Sequence, residues 1–297
     1  MGRLWRRSLS RLGAAALLTG VALTGSASFG AANAGASNTA CSGTWAAPGT
    51  LAGTYSSVRV TGVCFVNGGP AVVTGSVIVA PGAALVAAFA MNNSSLTVGG
   101  SILVQAGATL VLGCEATESP CLDDPNQQQP TLNGVDVVKG SLIATNALGV
   151  LVHNATINGN VVQSGGGGGF NCNPDPVNPA FSFAVFSAYD DNSVGGGLSI
   201  SHVTSCYMGV ARNRVGGSVN IIGNQLADND AIEILSNTIG GSLSCFGNSM
   251  TWNNVETGPD LFPRAPVPIN SVRGRRSGQC VLASPTVPGG PLGPGPF

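Results

Sequence analysis

The sequence predicts an all-β solenoid: short parallel strands stacked into about seven rungs, with a cap at each end. Three observations predict it. Asn213-Arg-Val-Gly-Gly-Ser-Val-Asn-Ile-Ile-Gly-Asn224 and Asn237-Thr-Ile-Gly-Gly-Ser-Leu-Ser-Cys-Phe-Gly-Asn248 are one pattern written twice, 24 residues apart, and a period in the twenties marks stacked-repeat architecture. Inside each copy apolar and polar residues alternate, which is the period of a strand with one buried face. Finally, glycine reaches 44 residues while charged residues are 8 %, and beyond the N-terminus no aliphatic run approaches the ~20 residues of a membrane-spanning helix.

The elements follow in order. Arg3, Arg6, Arg7 and Arg11 precede the mostly apolar run Leu12 to Leu23, and Ala32-Asn33-Ala34 fits a cleavage site; residues 1–34 read as a signal peptide and the product as secreted. Arg6-Arg7-Ser8-Leu9 leaves the export route open between a general and a twin-arginine signal. Cleavage leaves eight of the twelve Lys+Arg against thirteen Asp+Glu, a net charge of about −5. So few cations exclude nucleic acid as a partner, because phosphate neutralisation needs clustered Lys and Arg.

Residues 35–57 read as a linker and N-cap, residues 58–257 as the repeat array, and 258–297 as a Pro-rich tail. In the array Val73-Thr-Gly-Ser-Val-Ile-Val79 matches Val98-Gly-Gly-Ser-Ile-Leu-Val104, and Val138-Lys-Gly-Ser-Leu-Ile-Ala144 is a third copy. The anchor glycine falls at 75, 100, 140, 159, 196, 217 and 241. Two excursions interrupt the spacing, near 113–131 and near 164–180. In each rung one apolar pair faces inward: Val77/Val79, Ile102/Val104, Leu198/Ile200, Val219/Ile221 and Leu243/Cys245. Asn213/Asn237 and Asn224/Asn248 are placed to stack as amide ladders at the turns. A β-sandwich has no reason to repeat its turns in register.

All eight cysteines, Cys41, Cys64, Cys114, Cys121, Cys172, Cys206, Cys245 and Cys280, lie after the leader. An even count in an exported chain reads as disulfides. Cys114 and Cys121 close an excursion loop. Neighbour pairing suggests 41–64, 172–206 and 245–280, although eight cysteines admit 105 pairings and sequence does not choose among them. Two histidines and no C-x-x-C leave no zinc motif.

The Asn-x-[Val/Ile]-Gly-Gly-x-aliphatic-x-aliphatic rungs resemble right-handed parallel β-helix proteins of the pectate-lyase-like superfamily over most of the array. The Ala/Gly-rich, lysine-poor usage is similar to that of exported actinobacterial proteins. The resemblance implies two alternatives. One is a polysaccharide lyase or hydrolase acting on acidic glycans, with two or three acids on one face; a lyase adds Ca²⁺ and an arginine base. On that reading Asp190, Asp191, Arg212 and Asp230 are the catalytic candidates: Arg212 follows Asp191 by 21 residues, close to one rung, whereas Asp230 is a looser fit. The other is a non-enzymatic surface, adhesive or glycan-associated protein with no cofactor, its partners polysaccharide or cell-envelope components. The second is preferred, since Asp and Asn favour turns for structural reasons. His153 and His202 are expected to be structural or surface residues and not catalysts. Tyr189 and Tyr207 either share a face or pack beneath the second excursion.

Overall fold

The computed structural model describes residues 37–228, 232–249, 251–252 and 270–281. They form a parallel β-helix with three faces. Face 1 follows the glycine anchors: Val77–Val79, Ile102–Val104, Leu142–Thr145, Val161–Ser164, Leu198–Ser201, Val219–Ile222, Leu243–Phe246 and Arg276–Gly278 pair in that order, all parallel. Face 2 stacks Ala84–Ala87, Thr109–Leu112, Gly149–His153, Phe186–Asp190, Tyr207–Ala211, Ile232–Leu235 and Thr251–Trp252. Face 3 is two to three residues wide, from Leu96–Val98 through Val137–Val138, Thr156–Ile157, Ser193–Val194, Arg214–Val215 and Thr238–Ile239 to Ser271–Val272.

The array is longer than its glycine anchors at both ends. Residues 37–57, expected as linker and cap, contain Ser37–Cys41 and most of the long strand Gly49–Val60, which pair with each other and continue the stack upward. Residues 270–281, expected as tail, add a further rung below Leu243–Phe246. The remainder of the tail and the leader lie outside the described residues.

The anchor glycines form a continuous backbone ladder. Gly100 N donates to Gly75 O at 2.7 Å, and Gly140, Gly159, Gly196, Gly217, Gly241 and Gly274 repeat the bond at 2.8–2.9 Å. A Cβ at Gly140 would sit 2.6 Å from the Gly100 carbonyl oxygen, so close approach between rungs, and not a positive φ, requires glycine there. The inward pairs of face 1 are all buried, and with Leu85, Leu110, Val150, Val210 and Ile234 of face 2 they form one axial core. Gln163 is a buried exception, satisfied inside the core by Ser187 Oγ at 3.0 Å and by the Tyr189 hydroxyl at 2.8 Å.

The amide ladders are present. At the corner between faces 2 and 3, Asn192, Asn213, Asn237 and Asn270 stack. Each accepts a backbone N–H from the rung above and donates Nδ2 to a carbonyl there. Asn224, Asn248 and Gln279 do the same at the corner between faces 1 and 2. Every amide group in the column is thereby used, which is what burial demands.

Face 2 is buried on both sides, and the two excursions are the reason. The first, residues 113–136, leaves at the corner of faces 2 and 3; the second, residues 165–185, leaves at the opposite edge. Both fold over the outside of face 2. A second hydrophobic layer results, of Val86, Val111, Leu151, Phe186, Ala188 and Tyr207 beneath Cys114, Cys121, Phe181 and Val185. Four disulfides, 41–64, 114–121, 172–206 and 245–280, pin the upper end, both excursions and the last rung. Such bonds belong to an oxidising compartment. Among the described residues no helix is long and apolar enough to cross a membrane.

Candidate functional site

The corner between faces 2 and 3 carries the densest charge among the described residues. Each rung turns there through one residue in the left-handed region: Asn154 (φ 50°), Asp191 (φ 58°), Arg212 (φ 54°) and Ser236 (φ 56°). Asn and Asp tolerate that conformation; for Arg and Ser it is a cost of ~1 kcal/mol. The geometry projects consecutive corner side chains outward, one rung apart. Asp190 pairs in register with Ala211, so Arg212 lies directly below Asp191.

Arg212 closes a fork on Asp191: Nε lies 3.0 and 2.9 Å from the two carboxylate oxygens, and Nη2 is 2.8 Å from Oδ2. Nη2 also donates to Glu118 Oε2 at 2.6 Å, across 94 residues of sequence. Glu118 belongs to the Cys114–Cys121 loop, which arches over the corner. From the same loop Glu115 stands among these charges, its Oε1 buried without a hydrogen-bond partner. One step inward, on the outside of face 2, His153 Nδ1 stands 3.1 Å from Asp190 Oδ2, the pair 5 % and 2 % exposed.

The electrostatics follow from burial. Burial first, and then Asp191, push the Glu115 carboxyl up to about 9, so at neutral pH it holds its proton. Glu118 is raised to about 7, again by burial, with Arg212 opposing. Burial also raises Asp190, while His153 pulls it back. For Arg212, burial acts against the charge, but the hydrogen bond to Asp191 and the charges of Asp190, Glu118 and Asp191 prevail and raise its pKa.

Of the sequence candidates, Asp190, Asp191 and Arg212 therefore converge, and Asp230 lies outside the described residues. His202 sits at a different corner, exposed and at φ 55°. Tyr189 and Tyr207 occupy face 2 but opposite sides of it: Tyr189 points into the axial core, and Tyr207 stacks at 4.7 Å on Phe186 under the second excursion. They make no shared platform. Glu233 is fully buried beside Gly209, on the Tyr207 side. Spacing within the rungs could not find Glu115, Glu118 or His153, because the first two arrive on an insertion. Their one signal was two acids inside a loop closed by cysteines.

Among the described residues the one triad of metal-type ligands is Cys172, Cys206 and Asp228, and its two sulfurs are joined in a disulfide. At the corner, Arg212 already supplies the cation between the acids. Chemically the arrangement can do two things: hold the loop to the Asp191 and Arg212 rungs by charge-assisted hydrogen bonds, or offer a protonated carboxyl beside an ionised one. No protein family, curated protein or solved structure matches the chain.

Proposed function

We propose that this is a secreted, disulfide-stabilised β-helix scaffold of the extracellular surface or envelope, non-enzymatic and glycan-associated. One observation carries the non-enzymatic part: the candidate acids are engaged with one another. Both oxygens of Asp191 face the Arg212 fork, Glu118 meets the same guanidinium, and Asp190 is buried against His153. Partners of this kind serve a structural clasp. The leader-like N-terminus and four disulfides support secretion. Little charge suits neutral, hydroxyl-rich partners, as do outward Ser199, Asn220 and Ser244 on the lower rungs of face 1 and Thr97, Thr156, Ser193, Thr238 and Ser271 on face 3; the upper rungs of face 1 turn Ile78, Leu103, Ile143 and Val162 outward instead.

A polysaccharide hydrolase of the pectate-lyase-like superfamily is the second reading. It is favoured by Glu115, a proton-holding carboxyl against Asp191 at a half-buried corner, since acid–base hydrolysis needs such a pair. The Ca²⁺-dependent lyase version is less favoured, because a guanidinium stands where the cation would.

The test is incubation of the purified mature protein with insoluble and soluble polysaccharides, neutral and acidic. Cosedimentation without chain shortening is expected. Depolymerisation that disappears in Glu115→Gln would replace the scaffold reading with the hydrolase.

A further inference from the structure

We propose that Asn67 is a site of spontaneous covalent modification: the backbone nitrogen of Gly68 attacks the Asn67 side-chain amide, and this corner matures to aspartyl and isoaspartyl forms. The inference is independent of any glycan bound to the molecule.

The sequence holds three Asn-Gly pairs, Asn67-Gly68, Asn133-Gly134 and Asn158-Gly159. Each has the residue types this chemistry needs: a side-chain amide that can close a small ring on the next backbone nitrogen, and a following residue with no Cβ to shield that nitrogen. The structure separates them. Asn158-Gly159 lies in the anchor ladder, where Gly159 N donates to Gly140 O at 2.8 Å and Asn158 N to Val138 O at 2.9 Å. Gly134 is buried and bridges Cys114, its N–H on Cys114 O at 2.9 Å, while Asn133 Oδ1 accepts from Ala116 N at 3.0 Å. In both pairs the nitrogen that must attack is committed to another segment.

Asn67-Gly68 is placed differently. It turns the corner between faces 2 and 3 in an upper rung. The strand Val63–Val73 pairs through Phe65 with Val86 of face 2 and resumes at Ala71 with Leu96 of face 3. Against the strand above, it pairs at Val66 and again at Ala71. Residues 67–70 thus pair with neither neighbour. Gly68 is exposed, has φ 79°, and has nothing within 4 Å of the place a Cβ would occupy. Its N–H donates to Asn67 Oδ1 at 2.7 Å, so the nitrogen already lies against the carbonyl whose carbon it attacks.

The reaction balances with water alone. Hydroxide removes the Gly68 amide proton, and the nitrogen forms a bond to Asn67 Cγ. The Cγ–Nδ2 bond breaks, and the amide nitrogen leaves as ammonia with a proton from water. Water then opens the succinimide. Opening at Cγ leaves aspartate; opening at the backbone carbonyl leaves isoaspartate, whose chain runs through the side-chain carbons. Either product adds one negative charge. The unpaired residues 67–70 and the open space beside Gly68 admit the longer chain without displacing the paired strands on either side.

The experiment incubates the disulfide-intact mature protein in mildly alkaline buffer and follows the three Asn-Gly peptides by mass spectrometry, with isoaspartyl forms separated by chromatography. Each rate is divided by that of the same pair in the reduced, denatured chain, which cancels the effect of local sequence. Asn67 is expected to react about as fast folded as unfolded. Asn133 and Asn158 are expected to react at least ~10-fold more slowly folded, because freeing a paired N–H requires local opening. An Asn67 protected as strongly as the other two overturns the proposal. Equal reactivity of all three in the folded protein overturns it as well, since pairing of the nitrogen would then not govern the reaction.

Discussion

At the residue scale the molecule is held by polar side chains that have no slack. Asn213 is 1 % exposed. It accepts from Asn192 N and Nδ2 and donates to Tyr189 O and Asn237 Oδ1. Asn213→Ala leaves a buried N–H and a buried carbonyl without partners. At about 1–3 kcal/mol for each orphan, a loss of roughly 2–6 kcal/mol is expected in urea unfolding; a loss below about 1 kcal/mol would show that water replaces the amide. The His153–Asp190 pair is the second such case. His153→Ala strands a carboxylate that is 2 % exposed, and about 3–5 kcal/mol is expected to disappear. Asp190→Asn in the same background should recover part of it by removing the buried charge. The ladders were legible because Asn recurs at a fixed offset. The His153–Asp190 pair was not, because two residues 37 positions apart meet only through the rung that an insertion lengthens.

At the scale of elements, the excursions decide what face 2 can be. Without them, Val86, Val111, Leu151, Phe186 and Tyr207 would form an exposed apolar patch, which monomeric proteins keep small. The continuous runs Ala84–Ala87, Thr109–Leu112 and Gly149–His153 lack the alternation of face 1 because both of their sides are covered. Phe181 tests this roof. It is fully buried and meets Phe186 edge-on at 5.8 Å. Phe181→Ala is expected to cost about 3–5 kcal/mol and to raise binding of a hydrophobic dye. A variant as stable as wild type would mean that the second excursion is ornamental. The composition of the excursions, Gly-rich in one case and Asp/Pro/Gln-rich in the other, announced loops but not where they lie. The last rung was missed for a related reason. Arg276 and Gly278 stand where other rungs carry an aliphatic pair, and Asn270 follows Asn237 by 33 residues, beyond the regular step.

At the scale of the whole molecule, four carboxyls among the described residues are raised by burial: Glu115 to about 9, Glu118 and Asp136 to about 7, and Asp190. Each binds its proton more tightly folded than unfolded. Their stabilisation is complete below the ordinary carboxylate range and is lost as pH rises through the raised values, the reverse of the usual salt-bridged acid. The melting temperature is therefore expected to be highest near pH 5, to fall most steeply up to pH ~7 and to fall further to pH ~9. A melting temperature that climbs from pH 5 to pH 9 would contradict the protonation states described for the corner. Solenoid stability is also a sum over neighbouring rungs. The terminal disulfides 41–64 and 245–280 accordingly sit where fraying would begin.

By itself the sequence determined the rung. Alternating apolar residues, the close-contact glycine and the stacking Asn are local demands, repeated because each rung meets a near copy of itself, so the period exposes them. Only the tertiary structure decided what the two insertions cover, and that Glu115 and Glu118 come to rest on Asp191 and Arg212. Those contacts join segments without a common period. Their partners are set by where the solenoid's rise carries each rung, and no spacing along the chain records that.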